Sequence, residues 1–567
     1  MKRLLTSALL ALASFASIGA QSGVGMNLSG LNYWSPAPPM IDVMKQAGAW
    51  ITATSVAWDT GEEATLKLDA DDYVLQIPAA TDTSVKWRWA VSMLSSGGAL
   101  PNGTYVMTYD GEGVLEYRGA VKDAKASKPG RDVVNVNSAS VWMVLKATTP
   151  GNYIHNMHFW RPGGACSSDL GAFAANAAAC MVPAIFVPYE SFPAGASIWY
   201  QPWLADMAGF KALRFMDWNR TNGTTVTSWA ERNSSTVRRW TGGSGVPIEA
   251  ELDLANRLQA DAWLNVPPYV MDTDYAYQTG RLAAKMLTGV ARLDLEYANE
   301  PWNYGFTATH WMLAQSNAHW AKQLTLPGAN QWYMARAWYA ERLVQMCSAA
   351  KAASPSTRCV ANVQMPNALD AKLVTACAAA VAFDLDQPCY KGIDVIAVAP
   401  YFAGYLGSAA VATRTVVNGW LTQFDGGLSA LFNELDVVSL PQIATWTKQN
   451  VAYANTIDLP VWAYEGGQGL TVPDRDPKVQ VLFTAANRDP RMGAAYDKMM
   501  ADWRANGGQQ FNFFQATGPA SSSGFWGMKL DQADDASPKW QAAVRAKSTP
   551  CTWAGCVTKP LTVPPIQ

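Results

Sequence analysis

Two glutamates stand where a strand-like run gives way to a loop: Glu300 in LDLEYANEPWN and Glu465 in LPVWAYEGG. Aromatic and small residues flank each, which lets a ligand come close. A pair of carboxyls in one pocket is the equipment for breaking a glycosidic bond, one acting as acid/base and the other as nucleophile or base. A retaining reaction needs about 5–5.5 Å between them, so the two are predicted to face each other across one cleft. Asp217 is a reserve candidate, while Asp294 and Glu296 lie within a strand and take structural roles first. No HExxH, Walker A, GxSxG or GxGxxG word occurs, which leaves metalloprotease, nucleotide and serine-hydrolase chemistry without a motif. The four histidines (His155, His158, His310, His319) do not group with cysteines as zinc ligands would. Neither a metal nor an organic cofactor is predicted.

Such carboxyls need a rigid frame. Eight short apolar runs read as strands buried on both faces: 25–33, 212–218, 261–266, 292–299, 358–364, 393–401, 459–465 and 509–515. Helical periodicity separates most of them, over 247–258, 275–287, 332–353 and 440–454. Eight such units meet the requirement of an α/β (β/α)8 barrel, whose chemistry sits at the C-terminal strand ends, where Glu300 and Glu465 fall. Residues 36–50 read as the first helix, with Met40, Ile41, Val43, Met44 and Ala47 as its apolar stripe. Between 51 and 160 the rhythm changes to short alternating segments broken by Gly, Asn and Asp, the pattern of an antiparallel β-sandwich. The domain map is therefore a signal over 1–20, a first barrel unit over 21–50, an inserted sandwich over 51–160, the rest of the barrel over 161–546, and a tail over 547–567.

Composition agrees with an exported carbohydrate-active protein. Residues 1–20 hold a short cationic start, an apolar run and a small-residue cleavage point, which is the layout of a secretory signal. An extracellular or periplasmic location follows. Eight cysteines in the remaining chain favour disulfides, with local pairing 166–180, 347–359, 377–389 and 551–556. Charged residues make up 16% against about 25% in an ordinary globular protein, and the net charge is −2. That balance supplies no basic field for nucleic acid, and no later apolar run suggests a membrane anchor. Tryptophan appears 25 times, and sugar rings are one ligand class that stacks on such side chains.

The local words are more specific than the spacing. An Asn-Glu pair ending strand four and a lone Glu ending strand seven resemble clan A glycoside hydrolases, the superfamily of retaining (β/α)8 glycosidases. Four words over 25–34, 213–222, 245–267 and 296–303 are similar to those of secreted proteins often described as cellulose-binding, and the resemblance spans most of 23–530. It implies Glu300 as acid/base, with Asn299 hydrogen-bonding the sugar 2-hydroxyl. It further implies Glu465 as nucleophile, oriented by Arg214 and Tyr401, with Trp526 flooring the sugar subsite. Trp218, Asn219, Trp302 and Asn303 follow strand ends and are candidates for sugar hydroxyls and ring faces. Many cellulase-like members carry histidines on strands three and six. Here those stretches read Asn265-Val266-Pro267-Pro268 and Ala399-Pro400-Tyr401, which sets the substrate apart.

The expected activity is hydrolysis of an O-glycosidic bond, β-linked, in a polysaccharide or oligosaccharide, by a monomer that needs no partner beyond its substrate. Glu300 is expected to hold a proton while Arg214 keeps Glu465 ionised. Two alternatives use the same chain differently: a non-catalytic carbohydrate-binding protein on the same barrel, and transglycosylation to a sugar acceptor.

Overall fold

The computed structural model describes residues 23–549 apart from 168, 169, 171, 172 and 194. The predicted signal, most of the tail and the expected Cys551–Cys556 pair lie outside the described residues. Eight parallel strands close into a barrel: β1 (Val24–Asn27), β2 (Ala212–Arg214), β3 (Asp261–Val266), β4 (Leu293–Tyr297), β5 (Arg358–Asn362), β6 (Val395–Val398), β7 (Val461–Ala463) and β8 (Phe511–Phe513). Closure is direct, with Met26 of β1 opposite Phe513 of β8 on one side and Leu213 of β2 on the other. Each strand falls on one of the eight apolar runs read from the sequence, β1 starting one residue before its run. The remaining residues of those runs bend into the loops that carry the site.

The helices Ile248–Leu258, Asp274–Met286, Gln331–Ala353 and Leu440–Asn455 match the periodic stretches to within a residue. The longest starts because the Asn330 side chain accepts from the backbone N–H of Trp332 and Tyr333, satisfying donors that a helix leaves open. It buries Trp338, Leu343, Met346 and Ala350 against the barrel, and the Cys347–Cys359 disulfide ties it to β5. Cys166–Cys180 and Cys377–Cys389 are also bonded as expected. No helix among the described residues is long and apolar enough to cross a membrane.

Residues 36–50 differ from the helix read there. Only Val43–Gln46 turns, as one 3-10 turn capped by the Asp42 carboxylate. Pro36, Pro38 and Pro39 supply no N–H, and Ile41 donates its own to the Ile198 carbonyl (2.9 Å). The apolar stripe is split between two cores: Met40 packs with the barrel, whereas Val43, Met44 and Ala47 pack with the inserted sheets. The helix that follows β1 is Gln201–Met207, after the insertion.

The insertion is a pair of four-stranded antiparallel sheets. One runs Trp50–Ala53, Trp89–Ser95, Val141–Thr148, Gly113–Arg118, and the other Ala120–Lys122, Arg131–Val136, Gly103–Asp110, His155–Trp160. Alternation places Met107, Val134, Leu145 and Phe159 in a shared core of their own. Buried Arg238 locks this unit to a barrel loop, donating to the Gly48 carbonyl (3.2 Å), the Ser92 hydroxyl (3.0 Å) and Asp72 (2.8 Å).

Inside the barrel, polar and apolar layers alternate. At the N-terminal end Arg358 bridges Asp261 (2.6 Å) and Asp294 (2.5 Å), and Lys211 also reaches Asp261 (2.5 Å). Above them Trp263, Val360, Val395, Ala397, Trp462 and Tyr464 fill the interior. This apolar plug separates the lower ion cluster from a second polar layer at the C-terminal mouth.

Candidate active site

The mouth is organised around Arg214, the last residue of β2, whose side chain is fully buried. Its guanidinium grips Glu296 in a two-pronged pair (2.9 and 2.8 Å) and donates to Glu465 (2.8 Å), Asn299 (2.8 Å) and Asn27 (3.1 Å). A planar fork with five N–H groups suits this sharing, and a lysine could not reproduce it. Glu296 accepts two further bonds, from the Trp263 indole and the Asn362 amide (2.7 Å each). With four donors on its oxygens it is held as a structural group, in line with the role read from its place within the strand.

Glu465 follows β7 and turns one oxygen to Arg214 and the other to the Tyr401 hydroxyl (3.1 Å). Glu300 follows β4 and accepts from the Tyr464 hydroxyl (2.9 Å) and the Asn303 amide (2.8 Å). Because Tyr464 directly precedes Glu465 in the chain, one turn of backbone serves both carboxyls. Strand alternation alone would send Asn299 and Glu300 to opposite sides. Ala298 (φ 59°) and Glu300 (φ 43°) are left-handed instead, a costly conformation for residues with a Cβ. The two kinks bring Asn299 to Arg214 and Glu300 to Tyr464 from the same short loop.

Burial pushes both carboxyls above the ordinary glutamate range. Glu465 rises to about 8: desolvation outweighs Arg214 and Tyr401, and the charges of Glu300 and Asp217 add to the push. Glu300 also rises through burial, against the bonds from Asn303 and Tyr464. Half-buried Asp217 rises to about 6 for the same first reason, although Arg214, Arg220 and the Gly30 N–H oppose it. Arg214 therefore offsets the burial of Glu465 only in part, whereas the sequence led to the expectation that it keeps this carboxyl ionised. Burial is the first cause, and Arg214 also spends two of its N–H groups on Glu296. The charge of Glu300 adds to the push on Glu465, and that of Glu296 to the push on Glu300. The hydroxyls of Tyr401 and Tyr464 are pushed well up by burial, then by the adjacent carboxylates, and stay protonated as donors.

Tyr401, Trp302 and Trp526 are half-buried at the mouth. Phe514 makes edge contacts with both Tyr401 (6.2 Å) and Trp526 (5.8 Å), which links Trp526 to the Glu465 side. Trp302 stands two residues beyond Glu300, and its indole N–H is buried without a partner. Trp218 is a correction: it is 1% exposed, bonds the Ser29 carbonyl, and stacks with Trp199 and Trp203 in the core outside the barrel, with no face for a sugar. Asn219 is likewise committed, donating to both oxygens of Glu251 (2.9 Å) and accepting from the Asn265 N–H (3.0 Å).

Three contributors were not singled out from sequence. Tyr464 adjoins Glu465, and adjacency was its only signal. Asn27 occurs in a glycosylation sequon (27–29), yet it is buried at the site, donating to the carbonyls of Tyr464 (3.0 Å) and Phe513 (3.2 Å). Asn222 accepts from the Asn299 amide (3.2 Å), and nothing local to residue 222 announces this.

No protein-family model matches the chain, and no curated protein matches it. Among solved structures it is similar to a 4-O-alpha-L-rhamnosyl-beta-D-glucuronidase from Fusarium oxysporum 12S (10% identity, TM-score 0.37, 61% of this chain and 63% of that one). A GH51 arabinofuranosidase from Xanthomonas axonopodis pv. citri gives 11% identity and TM-score 0.33 over 63% of this chain and 68% of that one. A xylanase from Cellvibrio japonicus gives 12% and 0.33 over 61% and 91%. The chain thus spans under two thirds of the first of these. At such TM-scores the likenesses carry no argument, and the barrel stands on its own strand pairing.

Proposed function

We propose that the protein is a retaining glycoside hydrolase of the clan A type, exported, acting on a β-linked polysaccharide or oligosaccharide. The observation that supports this best is the convergence of two buried glutamates from β4 and β7 on one hydrogen-bonded network at the C-terminal mouth. Burial raises the proton affinity of both carboxyls, and double displacement needs one protonated and one ionised carboxyl. In the first half, a Glu465 oxygen bonds to the anomeric carbon as the glycosidic oxygen departs with the proton of Glu300. In the second half, Glu300 takes a proton from water, the water oxygen bonds to the anomeric carbon, and the Glu465 carboxylate is released. Arg214 and Tyr401 orient Glu465, and Asn299 would hydrogen-bond the sugar 2-hydroxyl. Trp302 and Trp526 offer ring faces to the substrate.

The test is a polysaccharide panel that includes cellulose, with new reducing ends and binding measured in parallel, followed by azide rescue of two variants. With an activated aryl β-glycoside, Glu300→Ala should form the glycosyl-enzyme and release β-glycosyl azide, because azide needs no base. Glu465→Ala should give the opposite anomer. Binding with no reducing ends on any glycan would instead mark a carbohydrate-binding protein, and reversed azide stereochemistry would exchange the two roles.

A further inference from the structure

Away from the mouth, on the outer helices, His319, Glu341 and Asp384 meet. His319 ends the helix Thr307–His319, Glu341 lies midway along Gln331–Ala353, and Asp384 follows Ala378–Phe383. One ligand atom from each lies within 4.8 Å of the others. The His319 Nε2 and an Asp384 oxygen are 3.1 Å apart. A tetrahedral zinc ion with bonds of about 2.0–2.1 Å sets its ligands about 3.3 Å apart, so this edge is already in place. Glu341 alone has to swing inward, by about 1.5 Å on the same geometry.

A second observation points the same way. Glu341 is 8% exposed, and its Oε2 is buried without any hydrogen-bond partner. Its Oε1 accepts from the Gln345 amide (3.0 Å). Burying a carboxylate oxygen with no donor is unfavourable, and such an orphan calls for an occupant. The ligands are also braced from outside. The Trp320 indole donates to Asp384 (2.6 Å) as Gln345 does to Glu341, the kind of outer contact that fixes metal ligands. His319 and Asp384 keep side-chain exposures of 45% and 28%, which leaves an entry path and room for a water as fourth ligand.

We infer that His319, Glu341 and Asp384 bind one divalent transition-metal ion, zinc being the best match to one imidazole and two carboxylates. The ion would clasp three helical segments on the barrel's outer face, and nothing in the proposed glycosidase chemistry depends on it. Sequence spacing hides the set, because its members are separated by 22 and 43 residues.

The test uses the full secreted chain, stripped with a chelator and dialysed, then titrated calorimetrically with zinc chloride alone. One zinc per chain should bind and raise the melting temperature. His319→Ala, exposed and therefore safe for folding, should weaken binding about 100-fold, the upper end of what even outer contacts to metal ligands contribute. His310→Ala, at an exposed histidine elsewhere, should leave it unchanged. Absence of stoichiometric zinc binding to the unmodified chain, or unaltered binding in His319→Ala, would overturn the proposal. Preference for calcium over zinc would overturn it as well.

Discussion

Replacing Glu465 with glutamine should make the protein more stable at pH 8 while abolishing turnover. The glutamine keeps both contacts, its oxygen accepting from Arg214 and its amide donating to the Tyr401 hydroxyl, but it cannot lose a proton. In the native chain Glu465 is held up to about 8. Between an ordinary glutamate value near 4.5 and that value, the folded state keeps a proton that the unfolded state has released. Stability therefore falls as pH rises through this window. Over about 3.5 pH units, at ~1.4 kcal/mol each, the loss is bounded at ~5 kcal/mol. A chain of 567 residues unfolds with ~1.2 kcal/mol per degree, so the variant should melt higher at pH 8, by at most about 4 °C, and coincide with the native protein near pH 4.5. Thermal melts of both proteins at half-unit pH intervals, with disulfides intact, provide the comparison. A variant that melts lower at pH 8, or the same pH slope in both, would refute the account of a buried carboxyl kept protonated by desolvation.

Two further substitutions separate the site from its support. Tyr464→Phe removes the hydroxyl that donates to Glu300; kcat should fall about 10- to 100-fold, the worth of one hydrogen bond to a charged group, with the melting temperature little changed. Equal kcat in the two proteins would show that this contact does not serve the reaction. Trp218→Ala should do the reverse: loss of the stacked indole costs ~3–5 kcal/mol of stability, read as a lower melting point, while kcat/KM of the folded protein stays near native. A selective loss of sugar binding there would return Trp218 to the site.

The eight strands were legible because parallel strands buried on both faces are continuous apolar runs, a signal that survives without any tertiary knowledge. Three disulfides were legible because short loops close most readily between neighbouring cysteines. Glu300 and Glu465 were legible at strand ends, since a barrel projects its strand ends into one mouth, while Arg214 and Tyr401 came only from the resemblance of the local words. Where the sequence failed, two partners far apart in the chain were competing for the same residue. Residues 40–47 carry a helical period, yet the period served two different cores, and prolines decided against the helix. Trp218 follows a strand end as a ligand-binding tryptophan would, but Trp199, just before the helix that follows the insertion, and Trp203, within it, pack against it and leave it 1% exposed.

The ionisation of the pair was decided by tertiary structure alone. The family resemblance set Arg214 beside Glu465; only the closed barrel placed Glu296 on the same guanidinium with two of its bonds. A residue list gives charges, whereas proton affinity depends on how many buried carboxylates one cation must serve and how far water is excluded. The chain order therefore determined which groups reach the mouth. The packing of β2 between β1 and β3 determined what state those groups are in when they arrive.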